Sequence, residues 1–243
     1  GHVPVPYSGN FSGSASGDAI PPDGHVEGSG NHTGAWPADV YYADMNESNW
    51  TDVSVNLTTG IQPRLYNIPG DGKFDQTKIP DTLDLEIGRV DMFNMPVFKK
   101  SDTVLMANYL DRDHNWRTGK WQVAERSLID DNFTTINLSS TGYNNFSALV
   151  LADSNFTDRD YFTAQKNGSY LWSYGCGAGS FTTCQGIGKS GDFVNDSFSN
   201  VFTMLAGSFF GDWDNQDNFL RAPLAQSSLT CFWGGLPKWY VHH

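Results

Sequence analysis

With 243 residues, 39% of them hydrophobic and 14% aromatic, the chain can bury one substantial core. Its net charge of −12 at pH 7 disfavours nucleic acids and anionic membrane surfaces as partners, because binding to either relies on positive charge. No apolar run approaches the roughly 20 residues of a membrane-spanning helix, so membrane insertion is not expected.

The first part of the chain predicts a long polar loop and a possible cation site. A loop rich in Gly, Ser, Asn and Pro is expected over 8–34, followed by a short strand within 35–44 that ends near Asp44. The turn Pro69-Gly70-Asp71-Gly72-Lys73-Phe74-Asp75 resembles the oxygen-rich loops that hold Ca²⁺, which makes Asp44, Asp71 and Asp75 the candidate metal ligands. Because the full acidic run and distal Glu of an EF-hand are missing, a plain acidic turn is the alternative.

The middle of the chain predicts alternating strands and helices. The apolar–acidic alternation of 83–90 predicts a strand, Ser101 is a candidate helix cap within the helical segment 99–113, and 126–131 predicts a strand that ends in two carboxylates. Segment 146–151 is apolar, and its pattern does not distinguish helix from strand. This order favours an α/β fold with a mainly parallel sheet flanked by helices.

The central stretch, residues 170–213, contains the candidate reactive side chains. Tyr170–Tyr174 and Val201–Ala206 predict two buried strands, and Cys176 and Ser208 follow them within glycine-rich turns. Side chains at the carboxyl ends of parallel strands commonly form ligand or catalytic sites. The structural alternative is a pair of ordinary turns with a buried, unreactive cysteine. Further on, 218–224 predicts a short helix and 229–233 a strand.

The cysteines and the glycosylation signals indicate the compartment. Three cysteines, Cys176, Cys184 and Cys231, permit at most one disulfide, and a bond between Cys176 and Cys184 would remove the only plausible thiol nucleophile. Dense Asn-x-Ser/Thr signals and the acidic, polar composition favour a secreted or cell-surface protein.

The order of these segments resembles the catalytic domain of the gingipain family, secreted cysteine peptidases with a caspase-like α/β fold. The similarity begins at Gly1-His2-Val3-Pro4 and continues through 39–44, the Gly70-Asp71-Gly72 turn, Leu85-Glu86-Ile87-Gly88-Arg89-Val90 and Asp130-Asp131-Asn132. It implies a single gingipain-like domain over 1–243, expected to be a fragment truncated at both ends. It also implies a peptide or protein substrate.

The resemblance departs from the family at the two catalytic positions. The family has a His in Gly-His-Gly after one strand and its catalytic Cys after the next, whereas this chain has Cys176 at the first position and Ser208 at the second. A cysteine cannot replace imidazole as the base, and a serine hydroxyl is inert near neutral pH without one.

Three hypotheses are compatible with the sequence. A rearranged peptidase would use Cys176 as nucleophile, with Ser208 as second choice, and backbone N–H groups of the glycine turn for the oxyanion. Its base would be His114 or a downstream His beyond this fragment. An inactive homologue would be an extracellular binding or structural module. The third possibility, a calcium-stabilised glycoprotein domain that binds sugars through its tryptophans, sets the resemblance aside.

Overall fold

The computed structural model describes residues 3–11, 33–46, 49–59, 62–133, 138–150, 152–195 and 198–233. They fall into two compact units, Gly1–Arg89 and Val90–His243. The prediction of one domain over 1–243 stays a prediction. Most of the predicted loop over 8–34, and residues 234–243, lie outside the described residues.

Unit 1 contains a small sheet in the order β2-β1-β3. Strand β1 (Tyr7–Phe11) pairs antiparallel with β2 (Gly34–Pro37) and parallel with β3 (Lys73–Phe74). Short 3-10 helices span Asp39–Ala43 and Pro63–Leu65. The start of the predicted loop is therefore strand β1.

Of two strand predictions in unit 1, one has the wrong end and the other is wrong. The strand expected within 35–44 ends at Pro37, as β2, and the 3-10 helix Asp39–Ala43 follows in place of a strand end near Asp44. Segment 83–90 has no strand ladder. The backbone N–H groups of Asp84 and Leu85 instead share the carbonyl of Ala43, at 2.9 and 3.1 Å. Alternation of apolar and acidic residues favours a strand only where a neighbouring strand is available to pair with it. Here Leu83, Leu85 and Ile87 remain exposed.

Unit 2 is built on a five-stranded, all-parallel sheet in the order β10-β9-β6-β4-β5. Its strands are β4 (Ser127–Asp131), β5 (Phe156–Asp158), β6 (Ser169–Cys176), β9 (Ser199–Ala206) and β10 (Thr230–Trp233). A small hairpin of β7 (Thr183–Cys184) and β8 (Gly188–Lys189) lies between β6 and β9 in the chain. The α/β class and the mainly parallel sheet are therefore confirmed, as are the strand predictions from residue 126 onwards.

Among the described residues, five α-helices accompany this sheet. They are α1 (Asp102–Arg117), α2 (Ser139–Phe146), α3 (Tyr161–Asn167), α4 (Asp192–Asn195) and α5 (Ala222–Gln226). The predicted cap of α1 is present, since Ser101 Oγ accepts a hydrogen bond from the backbone N–H of Val104 at 3.3 Å. A 3-10 helix over Pro96–Phe98 precedes α1. Within the described residues, every helix is too short or too polar to cross a bilayer.

Apolar residues cover both faces of the sheet. On one face, Leu128 packs in a cluster with side chains of α1, α3 and α5; on the other, Ile129 packs in a cluster with Phe146 of α2. Consecutive residues of a strand point to opposite faces, so two buried neighbours require cover on both sides. The unit is thus a sheet between helical layers.

A buried polar network crosses the central strands. Asn200 on β9 donates to Ser173 Oγ on β6 at 2.7 Å and accepts from Ser228 Oγ at 2.8 Å. Tyr161 on α3 contacts Thr203 on β9 through their hydroxyl groups, 2.7 Å apart. All five side chains are fully buried, and the network ties β6, β9 and α3 together.

Candidate functional site

Three central strands end side by side, and the candidate reactive residues lie at this edge. In the parallel register, Asp131 on β4 is the partner of Cys176 on β6, which is the partner of Ala206 on β9. Cys176 is the last residue of β6, and Ser208 follows the end of β9 by two residues. Both sequence candidates therefore lie at the carboxyl edge of the sheet.

The Cys176 thiol is a buried hydrogen-bond donor. Its exposed fraction is 0%, and Sγ donates to Asp131 Oδ1 over 3.1 Å. Burial raises the thiol pKa far above its usual value, and the hydrogen bond to Asp131 and the negative charge of that carboxylate raise it further. At neutral pH the group is therefore a protonated thiol, which is a poor nucleophile.

Asp131 is committed to structural hydrogen bonds. In addition to the thiol, Oδ1 accepts from the backbone N–H of Phe133 at 3.0 Å. Oδ2 accepts from the backbone N–H groups of Leu138 and Ser139 at 2.7 and 2.8 Å. These two donors lie at the start of α2, so the carboxylate caps that helix, where its charge is also favoured by the helix dipole.

The glycine turn after β6 is tightly packed and has a committed N–H group. The N–H of Gly177 donates to the carbonyl of Ala206 at 3.1 Å, so this donor already has an acceptor within the sheet edge. A Cβ at Gly177 would lie 2.2 Å from the carbonyl oxygen of Gln185, and one at Gly179 would lie 2.4 Å from that of Ser208. These glycines are required by close backbone approach.

Ser208 is the more accessible of the two candidates. It is partly exposed, and the next residue, Phe209, has a left-handed backbone with φ of 67°. The ring of Phe209 packs against Phe181, with centroids 5.3 Å apart. The structure brings Ser208 close to the turn that contains Gly179 but provides no histidine beside it among the described residues.

His114 is not placed to act as the base. Of the six histidines, it alone belongs to the described residues, on the exposed side of α1. The end of α1 leads to Lys120 and Trp121, which border a cavity with Phe198, the residue before β9. This is the amino edge of the sheet, and an eight-residue strand separates the two edges by about 26 Å.

Cys176 and Cys184 do not form the disulfide that the sequence permits between them. Cys176, Cys184 and Cys231 are all free thiols. Burial and the nearby charge of Asp130 raise the pKa of Cys184 to about 12.

Asp130 is also used structurally at the end of β4. It accepts hydrogen bonds at 2.7 Å from the backbone N–H of Tyr161 and from Asn132 Nδ2. Burial raises its pKa, and these two hydrogen bonds only partly offset the effect.

Each of the three candidate calcium ligands accepts hydrogen bonds from other groups of unit 1. Asp44 accepts from Asn46 N and Trp50 Nε1, both at 2.9 Å, and Asp71 accepts from Lys73 N at 3.0 Å and Lys73 Nζ at 2.9 Å. Asp75 accepts from Val53 N at 2.9 Å and Ser54 N at 3.1 Å. No group of three or more metal-ligating side chains forms within the described ranges. The arrangement therefore does not fit a shared cation site, and calcium binding stays a prediction.

The sequence suggested the position of the site but missed its main interaction. The sequence predicts that Asp130 and Asp131 end a strand. It does not predict the hydrogen bond between Asp131 and Cys176. Their shared place at neighbouring strand ends was the available signal.

No family model matches the chain, and no curated protein or solved structure shows significant similarity to it.

Proposed function

We propose that the chain is a non-catalytic binding or structural module, built on an α/β scaffold of the gingipain-like, caspase type. The observation that carries the proposal is the state of Cys176, whose fully buried, protonated thiol donates a hydrogen bond to the Asp131 carboxylate. A cysteine nucleophile needs the opposite arrangement, in which a neighbouring base or positive charge favours the thiolate.

The surroundings of Cys176 support the same proposal. Asp131, the group beside the thiol, is an anion that raises the thiol pKa, and its oxygens also hold the start of α2. The N–H of Gly177, a candidate oxyanion donor, is bonded to Ala206. A substrate carbonyl would therefore meet a protonated thiol and a donor that is already occupied.

Peptide-bond hydrolysis by a rearranged site is the second candidate, and Ser208 is the residue that favours it. Ser208 is partly exposed at the carboxyl edge of a parallel sheet, where catalytic side chains of α/β enzymes often lie. A base from a part of the chain outside the described residues would be required.

Thiol labelling tests the first candidate. The folded protein is treated with iodoacetamide from mildly acidic to alkaline pH, and mass spectrometry locates the label, with Cys176→Ala and the urea-unfolded protein as controls. We expect no labelling of native Cys176 near neutral pH and labelling of the unfolded chain with an apparent pKa near 8.5. Rapid native labelling with an apparent pKa below that value would overturn the proposal.

A serine-directed probe tests the second candidate. We expect a fluorophosphonate to leave the folded chain unmodified. Modification that disappears in Ser208→Ala, but persists in a neighbouring Ser180→Ala control, would establish a reactive serine.

Export to the cell surface or beyond belongs to the same proposal and is supported by the dense Asn-x-Ser/Thr signals. Expression through a secretory pathway should yield protein whose mass falls after treatment with a glycosidase that removes Asn-linked sugars. An unchanged mass would remove this support.

A further inference from the structure

A cavity of about 430 Å³ lies in unit 2 at the amino edge of the sheet. Its volume falls within the range of about 300 to 1,000 Å³ typical of small-molecule sites. Cys176 lies at the carboxyl edge of the sheet, so the cavity is separate from the site described above. Its polar and aromatic lining comes from α1, the segment after it, and the end of α5: Arg112, Asn115, Lys120, Trp121, Gln226 and Ser227.

Arg112 brings a positive charge to this cavity without a matching negative charge. Its Nη1 donates to the carbonyl of Asn108 at 3.3 Å, and its Nη2 donates to the carbonyl of Leu224. Its Nε is buried and has no hydrogen-bond partner. Burial lowers the pKa of Arg112 to about 10, and Tyr109 opposes this change only in part.

An uncompensated, partly buried guanidinium is costly, because it has lost part of its water without gaining an ion-pair partner. Two backbone carbonyls and the Tyr109 ring, 5.7 Å away, hold the group in place. Guanidinium carries five N–H donors, of which the protein uses two. The group is therefore preorganised for an anion that enters the cavity.

The other lining residues extend this preference. Lys120 is exposed and adds a second cation, and no carboxylate lines the cavity among the described residues. Two cations and no acidic group among its described lining residues give this cavity a local positive charge within a chain whose net charge is −12.

The remaining groups suit a ligand that carries hydroxyl groups on a ring. The side-chain amides of Asn115 and Gln226 make no hydrogen bond to the part of the chain that the structure describes, so their donors and acceptors are available. Trp121 supplies a half-buried indole, which packs edge-on against Trp116 at 5.9 Å. An aromatic surface with a few fixed polar groups is the usual composition of a small-ligand site.

We propose that this cavity binds a sugar acid, a pyranose ring that carries one carboxylate. The carboxylate pairs with Arg112 and Lys120, the ring hydroxyls bond to the amides of Asn115 and Gln226, and the apolar face of the ring packs on Trp121. This inference goes beyond the non-catalytic role, because no step of it uses Cys176. A reactive Cys176 would overturn that role and leave the cavity argument standing.

Calorimetric titration of the whole chain with D-glucuronate tests the proposal. We expect a dissociation constant on the order of 1 mM for a ligand of this size. D-glucose, which lacks the carboxylate, and acetate, which lacks the ring, should each bind at least about tenfold more weakly.

Variants place the ligand in the cavity. Lys120→Gln, Trp121→Ala and Arg112→Gln should each weaken glucuronate binding about tenfold or more. Arg117→Gln is the matched control on the same helix, because Arg117 is exposed and already paired with Asp113 at 2.8 Å. If Arg112→Gln does not fold, the Lys120 and Trp121 variants decide the placement.

Four results would overturn the inference: no heat of binding at tens of millimolar glucuronate, equal binding of glucose, equal binding of acetate, or a loss of affinity in Arg117→Gln as large as that in Lys120→Gln. Tighter binding of glucuronate than of either control, lost in the cavity variants alone, would establish it.

Discussion

Replacing Asp131 with asparagine tests whether this carboxylate organises the end of the central strands. Its two oxygens accept four hydrogen bonds, from the Cys176 thiol and from the N–H groups of Phe133, Leu138 and Ser139. An asparagine keeps one oxygen and presents an N–H₂ group in place of the other. In either orientation of the amide, two donors lose their acceptor.

The expected cost follows from those two donors. A partly buried donor left without an acceptor costs about 1 to 3 kcal/mol, and lower values apply where water reaches the group. Asp131→Asn should therefore lower the free energy of unfolding of unit 2 by about 2 to 4 kcal/mol. The Cys176 pKa should fall because the negative charge is lost, but it should stay raised because burial is the largest cause.

Native-state hydrogen exchange of the β6 and α2 amides measures this cost within unit 2, without assuming that the two units unfold together. Asp160→Asn is the matched control. Asp160 accepts from the Thr163 N–H at 2.7 Å as the cap of α3, and asparagine caps helices about as well as aspartate. A cost for Asp131→Asn below about 0.5 kcal/mol, or one equal to the control, would refute the structural role of this carboxylate.

Three further predictions concern packing, pH and metal binding. Gly179→Ala should cost about 1 to 3 kcal/mol in chemical denaturation, since its Cβ would lie 2.4 Å from the Ser208 oxygen; Gly88→Ala, with nothing within 4 Å, should change little. Burial alone would raise the pKa of Asp75, but hydrogen bonds from Val53 and its neighbours lower it overall. The stability that the Asp75 carboxylate contributes is thus present above its unfolded pKa of about 3.9 and is lost as pH falls through its lower folded pKa. Asp75→Asn should therefore lessen the loss of stability in acid. An unchanged dependence of stability on pH in the variant would contradict this. Because the candidate calcium ligands are dispersed, adding Ca²⁺ or a chelator should leave Tm unchanged, and a Ca²⁺-dependent rise in Tm would reinstate the cation site.

Much of unit 2 could be predicted from local sequence patterns. The strands over 170–174 and 201–206 were recognisable because buried parallel strands are continuous apolar runs rich in aromatic and β-branched residues. Helix α1 was expected over 99–113 and spans Asp102–Arg117, with Ser101 as its predicted cap. Segment 146–151 had no clear assignment, and the helix α2 ends at its first residue.

Unit 1 was less predictable because its structure depends on pairing rather than pattern. The alternation in 83–90 is typical of a strand, yet the N–H groups of Asp84 and Leu85 bond to the carbonyl of Ala43 instead of a neighbouring strand. Arg89 at its end is held by Asp39, with N–O distances of 2.6 and 2.7 Å, and by the carbonyls of Val3 and Pro4. Contacts across so many residues of sequence are not encoded in a short window.

In the candidate site, too, local patterns predict positions but not long-range contacts. The positions of Cys176 and Ser208 at strand ends followed from the strand pattern. The protonation state of Cys176 did not, because it depends on Asp131, which is 45 residues away in sequence. The cavity beside Arg112 could not be predicted from the sequence either, since its lining combines residues of α1 and α5 that are more than one hundred positions apart.

The buried polar network has a consequence for how accurately the strand ends are aligned. Hydrophobic packing alone tolerates small translations of one strand along another. Asn200, in contrast, can form its hydrogen bonds with Ser173, Tyr161 and Ser228 in only one register of the strands. Sliding β9 by one residue would also turn its side chains to the opposite face, leaving several buried polar groups without partners. The network therefore fixes the register of β9 in the middle of the sheet. Substitutions around Cys176 and Ser208 can change the chemistry of that edge while the strands that carry it stay in place.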